Sequence, residues 1–285
     1  MAGAGGARPA AMPERAFLAV TNRWPAARRM LFNWLFETLA AITRDVDTWT
    51  FMNYGYAALD DGAPALSLEP GDEAERYCIQ LYQHAASTVA LAGRDVVEVS
   101  CGRGGGASYM RRYLKPRQVT GIDFSRRQIA FRRRVHDLPN LEFRYGEAED
   151  VPLPDACADV VVNIEATCLY ADVGRFFAEV ARLLRPGGSF VYADFHLVAE
   201  LDDTLARLQA SGLRIERRED ITRNVERALA IDHARRLAAV RAHAPFLLRR
   251  LLNAFAGTQG TVVPESLASG RMVYLCLVLS KPVPA

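Results

Sequence analysis

The chain is 285 residues long and half hydrophobic, and its 35 Lys and Arg against 33 Asp and Glu leave a formal net charge of +2. That much apolar material supports a substantial core and excludes disorder of the whole chain. The charge is small and spread along the chain, so it makes no demand for a nucleic-acid partner. Cys78, Cys101, Cys157, Cys168 and Cys276 are odd in number, widely spaced and without a CxxC pair. This argues against a disulfide framework and a structural zinc, and fits a reducing cytosol.

In chain order, the Gly/Ala-rich residues 1–11 read as a tail rather than a secretory leader. Over 24–42 apolar residues recur at helical spacing, with Leu31, Trp34, Leu35, Thr38 and Leu39 on one face, which predicts an amphipathic helix. It either packs on the main domain and lines its cleft, or meets a membrane surface or lipid-like substrate; both readings stay open. Its most apolar run, 30–42, is shorter than the roughly 20 residues a spanning helix needs and is interrupted by Glu37. Asn53-Tyr54-Gly55-Tyr56 and Asp60-Asp61-Gly62 read as loops, and Asp72 is expected to cap a helix running to about residue 92.

From residue 95 short Val- and aromatic-rich runs alternate with helical stretches. Strands are predicted over 95–100, 118–123, 141–145, 158–164 and 189–194, with helices near 105–114, 125–136 and 172–184 between them. Such alternation means a parallel sheet with right-handed crossovers. Arg185-Pro186-Gly187-Gly188 separates helix from strand. Beyond lie a helix at 201–210, a strand at 213–218, a helical stretch 222–255 and a strand at 272–280. The last two strands suggest an antiparallel hairpin whose long helical connection forms an inserted cap.

The strongest chemical signal is Val96-Val97-Glu98-Val99-Ser100-Cys101-Gly102-Arg103-Gly104-Gly105-Gly106, an apolar strand running into glycines and a helix. Glycines there admit positive φ and close approach of a ligand, and the helix start offers N–H groups to an anion. About twenty residues on, Gly121-Ile122-Asp123-Phe124-Ser125 places a carboxylate where a ribose presents its hydroxyls, with Ser125 as helix cap. Gly146-Glu147-Ala148-Glu149 follows the third strand beside an adenine position. His84, His136, His233 and His243 have no metal-ligand spacing, so no metal is expected.

These motifs resemble the class I S-adenosylmethionine (SAM)-dependent methyltransferases, over about 53–280. Asn53-Tyr54-Gly55-Tyr56, Asn163-Ile164-Glu165-Ala166, Leu184-Arg185-Pro186-Gly187-Gly188 and Tyr192-Ala193-Asp194-Phe195 are most similar to the phthiotriol dimycocerosate and fatty-acid O-methyltransferase branch. The resemblance implies an α/β fold: a doubly wound, seven-stranded, mostly parallel Rossmann-like sheet with N-terminal helices and a helical cap insertion. The implied divisions are a disordered tail over 1–23, a helical cap over 24–92, a SAM-binding core over 93–220, a cap insertion over 221–270, and the last strand and tail over 271–285. It also implies that Glu98, Ser100, Gly102 and Gly104 line the methionine part of SAM, Asp123 the ribose, and Glu147 and Ala148 the adenine, with Phe124 also among the cofactor-binding residues. Asn163 would form the floor at strand four, Glu165 would also bind the cofactor, and Tyr54 or Tyr56 would close over it.

The sequence departs from the pattern twice. Ser100 stands where the family usually carries glycine, and Cys168 and Leu169 stand where related enzymes place histidines. With those absent, Asp194 and His196 become the candidate bases and Tyr170 a donor to the acceptor. The expected activity is methyl transfer to a hydroxyl of a hydrophobic lipid or polyketide-type small molecule in the cytoplasm, with peripheral membrane or carrier-protein contact left open. A methyltransferase-like cyclase using SAM structurally and a non-catalytic module are the alternatives.

Overall fold

The computed structural model describes residue 34 and residues 37–284. The expected tail over 1–23 and most of the predicted helix over 24–42 lie outside them; the helix end, 37–42, is helical and followed by turns. A 3₁₀ turn Pro70–Glu75 leads into α1 (Arg76–Ala86). Then come β1 (Asp95–Val99), α2 (Gly105–Tyr109, extended by a π turn Met110–Leu114), β2 (Gln118–Asp123), α3 (Arg126–Val135), β3 (Leu141–Tyr145) and β4 (Ala158–Ile164). A 3₁₀ turn Thr167–Leu169 precedes α4 (Val173–Leu183), β5 (Leu184–Leu197), α5 (Leu201–Ala210) and β6 (Arg214–Asp220). The chain continues through α6 (Thr222–Ile231), α7 (His233–His243), a 3₁₀ turn Phe246–Leu248, α8 (Arg249–Phe255), α9 (Val262–Ala268) and β7 (Met272–Ser280).

The seven strands form one sheet in the order β3-β2-β1-β4-β5-β7-β6. β1 to β5 pair in parallel, and β7 runs antiparallel between β5 and β6. Both faces are covered, which is why β1 and β4 read as near-continuous apolar runs. One face packs Val96, Val119, Val160 and Val191 against Leu81, Tyr109, Val225 and Leu267. The other packs Val97, Val161 and Tyr192 against Phe176, Phe177 and Leu208. Strand order reverses at β1 and β4, so the loops leaving their C-terminal ends diverge and open a crevice, the ligand position of an open α/β sheet.

Two local expectations change. Asp72 does not cap the helix: its carboxylate accepts Arg112 Nη1 and Nη2 at 2.7 and 2.8 Å and Tyr113 Oη at 2.6 Å. The turn it occupies starts instead at Pro70, and the α-helix ends at Ala86, short of 92. Strand five runs from Leu184, through the Arg-Pro-Gly-Gly segment, because β4 restarts its pairing with β5 after an irregularity between Ala158 and Val160. Among the described residues no helix is long and apolar enough to cross a membrane.

Candidate active site

The glycine turn and the acid of β2 meet directly. Ser100, Gly102 and Gly104 have φ of 59, 52 and 84°, so the chain leaves β1 through left-handed backbone. A Cβ on Gly104 would lie 2.9 Å from both His136 and Phe143, so only glycine fits there. Gly102 N–H donates to Asp123 Oδ2 at 2.9 Å, and Ser125 N–H to Oδ1 at 2.9 Å. Asp123 C=O takes Gly146 N–H at 3.1 Å, which brings the Glu147 to Asp150 turn alongside, with Ala148 buried in it. Half-buried Phe124 follows the acid. Methionine-, ribose- and adenine-side candidates therefore share one strand-end surface.

Glu98 is buried beneath this turn, accepting Tyr82 Oη at 2.6 Å through Oε1, while Oε2 has no partner. Burial pushes its carboxyl up to about 7. Asn163 Nδ2 donates to Val99 C=O at 2.9 Å and Tyr170 Oη at 2.8 Å, and Tyr170 Oη lies 2.7 Å from Ser100 Oγ. Ser100, Asn163 and Tyr170 thus tie the ends of β1 and β4 together. Burial pushes the Tyr170 phenol far above its ordinary range.

Glu165, leaving β4 at φ 53°, faces the other side of the sheet. Its Oε1 accepts Tyr54 N–H and Tyr274 Oη, each at 2.8 Å, and burial raises its carboxyl to about 8. The Tyr54 ring packs 5.5 Å from that of Phe195. Tyr56 is not brought to this group: it stacks on His84 at 4.2 Å, and His84 faces Glu219 of β6.

Asp194 and His196 belong to one hydrogen-bond chain. Asp194 is fully buried and accepts Ala166 N–H at 3.1 Å, Thr167 N–H at 2.9 Å, Thr167 Oγ1–H at 2.6 Å and Phe195 N–H at 2.8 Å. Three of these partners are backbone N–H donors; in its ionised form the carboxylate only accepts, and the Thr167 hydroxyl then donates to it. Thr167 Oγ1 then accepts Tyr192 Oη–H at 3.1 Å, and Tyr192 Oη accepts His196 Nε2–H at 3.1 Å. The chain assigns the proton to Nε2 and leaves Nδ1 as the lone-pair nitrogen. Burial lowers the imidazole below its ordinary 6.5, so it is neutral at pH 7. Three of the four donors to Asp194 fall on Oδ2 and only Phe195 N–H on Oδ1, and burial raises the carboxyl above its ordinary range.

Two arginines lacked a sequence reading. Arg132 on α3 is fully buried, ion-paired with Asp123 at 3.1 Å, and donates through Nε to Gly102 C=O. Arg103, inside the glycine turn, is buried and donates to Thr43 Oγ1 at 2.9 Å, Thr43 C=O at 3.1 Å, Val46 C=O at 2.8 Å and Trp49 C=O. Its guanidinium also sits 3.7 Å from the Phe131 ring centroid. A charged side chain amid glycines was the one available signal for Arg103.

A left-handed glycine cradle, carboxylates at the ends of β1 and β2, and buried Glu98 Oε2 and Asn163 Oδ1 without partners suit a zwitterionic nucleoside ligand. Residues 97–192 match a family model described as a methyltransferase domain. In fold the chain is similar to the [4+2]-cyclase SpnF, with TM-score 0.68 and 21% identity over 88% of this chain and 95% of that one. It is also similar to geranyl diphosphate C-methyltransferase of Streptomyces coelicolor A3(2), with TM-score 0.60 and 20% identity over 86% and 97%. Fold, cradle and family model together define a SAM-dependent methyltransferase.

Among curated proteins, the chain is 39% identical to the phthiotriol/phenolphthiotriol dimycocerosates methyltransferase of Mycobacterium tuberculosis (strain ATCC 25177 / H37Ra), over 82% of this chain and 86% of that protein. It is 45% identical to a fatty-acid O-methyltransferase of Mycolicibacterium smegmatis over 52% of this chain and 53% of that protein. The chain belongs to the phthiotriol/phenolphthiotriol dimycocerosates methyltransferase family.

Proposed function

We propose that this enzyme methylates a hydroxyl of a hydrophobic lipid or polyketide-type small molecule, with His196 Nδ1 as the base. The observation that carries the reading is the contiguous hydrogen-bond chain linking His196, Tyr192, Thr167 and Asp194, which with Asp194 ionised runs one way and leaves Nδ1 as the lone-pair nitrogen. The lipid-like acceptor rests on the names of the two mycobacterial relatives. Five free cysteines support a cytosolic setting.

When bound, SAM supplies an electrophilic sulfonium methyl. Asp123 takes the ribose hydroxyls, Glu147, Ala148 and Phe124 flank the adenine, and Glu98, Ser100, Gly102, Gly104 and Asn163 hold the methionine part. Tyr54 and Glu165 close the other side. Bringing an acceptor to about 3–3.5 Å of the reacting carbon can lower the barrier by several kcal/mol. His196 then removes the acceptor proton, and the imidazolium is stabilised through the chain ending at Asp194; a positioned base contributes roughly 10²–10⁴ in rate. Asp194 acts as an orienting group, and Tyr170 holds Ser100 against the β4 floor.

The test is incubation with methyl-labelled SAM and long-chain alcohols, phenols or hydroxy-lipids. Label should appear in a methyl ether product and fall by two orders of magnitude in His196→Gln with SAM binding retained. Product of unchanged mass would indicate a rearrangement instead.

A further inference from the structure

The most exposed large apolar side chains among the described residues are neighbours, Phe246 at 80% and Leu247 at 90%. They stand in the 3₁₀ turn Phe246–Leu248 that joins α7 to α8. Exposing two large apolar groups at a loop tip costs solvation, with the Arg249 guanidinium 5.9 Å from the Phe246 ring centroid as the return in packing, which marks a contact surface. The charge of the surrounding segment has one sign. No Asp or Glu occurs between Asp232 and Glu265, while Arg241, His243, Arg249 and Arg250 flank the turn.

Arg249 donates to Ala244 C=O at 3.2 Å and Arg241 C=O at 2.9 Å, which braces the turn. Arg241 and Arg250 are exposed and, among the described residues, pair with no carboxylate. Behind the tip, His243 and Ala244 share the wall of an apolar cavity of about 50 Å³ with Leu39, Trp49, Val240 and Leu252. Apolar prongs ringed by unpaired cations match a bilayer interface carrying anionic headgroups, where cations meet phosphates and the prongs enter the acyl boundary. A protein partner would have to offer an apolar socket and an acidic rim together.

We propose that the α7–α8 turn seats the enzyme on anionic lipid surfaces through Phe246 and Leu247, with Arg241 and Arg250 supplying the attraction. This contact does not depend on the base or the acceptor assigned above.

The experiment is vesicle flotation of the full chain, with phosphatidylcholine alone and with added phosphatidylglycerol. Binding is expected on the anionic vesicles and at least about tenfold weaker on the neutral ones. Phe246→Ser/Leu247→Ser should lose about tenfold or more, as should Arg241→Gln/Arg250→Gln, with SAM affinity and melting temperature unchanged because these side chains pack against little. Equal binding to both vesicle types, or binding that survives Phe246→Ser/Leu247→Ser, overturns the proposal. Light scattering that shows a dimer broken by the same double variant assigns the patch to a second copy and overturns it as well. So does absence of vesicle binding by the intact chain with binding appearing on deletion of residues 1–33, because that segment would then be the occupant.

Discussion

The Ser100 hydroxyl and the Tyr170 phenol lie 2.7 Å apart, joining the left-handed end of β1 to the loop after β4. This contact gives a side chain a role at a position whose backbone favours glycine, and two substitutions separate its components. Ser100→Ala loses the hydrogen bond, about 1 kcal/mol, and keeps the left-handed cost. Ser100→Gly loses the bond and relieves a similar cost, so it should unfold within about 1 kcal/mol of the parent. Denaturant melts compare them, and a Ser100→Gly variant as unstable as Ser100→Ala would contradict the account.

Asp123 and Arg132 make a buried ion pair at the proposed ribose position. Arg132→Met leaves an uncompensated carboxylate and should cost about 3–5 kcal/mol. Asp123→Ala should also abolish binding of SAM or S-adenosylhomocysteine in calorimetry. Normal affinity in Asp123→Ala would remove it from the ribose site.

For His196, the acid limb of kcat/KM against pH should fall below pH 6.5, because burial lowers the imidazole from that value. Thr167→Val cuts the proton chain between Tyr192 and Asp194, so kcat should drop while KM holds, with a smaller loss than in His196→Gln. A bell-shaped profile unchanged in His196→Gln would move the base elsewhere.

Glu165 predicts a dependence of stability on pH. Its folded carboxyl is raised to about 8 from an ordinary 4.5, so the folded protein holds more protons than the unfolded chain between those values. Its contribution is therefore full below 4.5 and is lost as pH rises through 8. Thermal melts should fall from pH 6 to 9 and should fall less in Glu165→Gln, by roughly 2–4 °C for each kcal/mol removed.

Much of the sheet was legible in the chain itself. The bounds of β2, β3, β4 and β7 match the predicted runs, since short Val-rich stretches between glycines and prolines admit few alternatives. The helical stretch over 222–255 resolves into α6, α7 and α8, and α9 was not anticipated because Pro264 and its polar neighbours break the period. At the site, the glycine turn and Asp123 follow from local pattern and spacing. Arg132 does not, because its partner depends on which turn of α3 faces the strand end. The same holds for Thr167 and Tyr192, whose importance lies in which atom donates to which.

One feature of the sheet bears on biosynthesis. β7 pairs with β5 through nine residues and separates it from β6. A nascent chain that has not yet released residues 272–280 from the ribosome leaves β5 with an open edge and β6 with no neighbour at all. The half of the sheet built on β1 to β4 can therefore collapse during translation, while the hydrophobic edge meant for β7 stays exposed until those residues emerge. Truncations within 272–280 should accordingly yield aggregates rather than weakened enzymes.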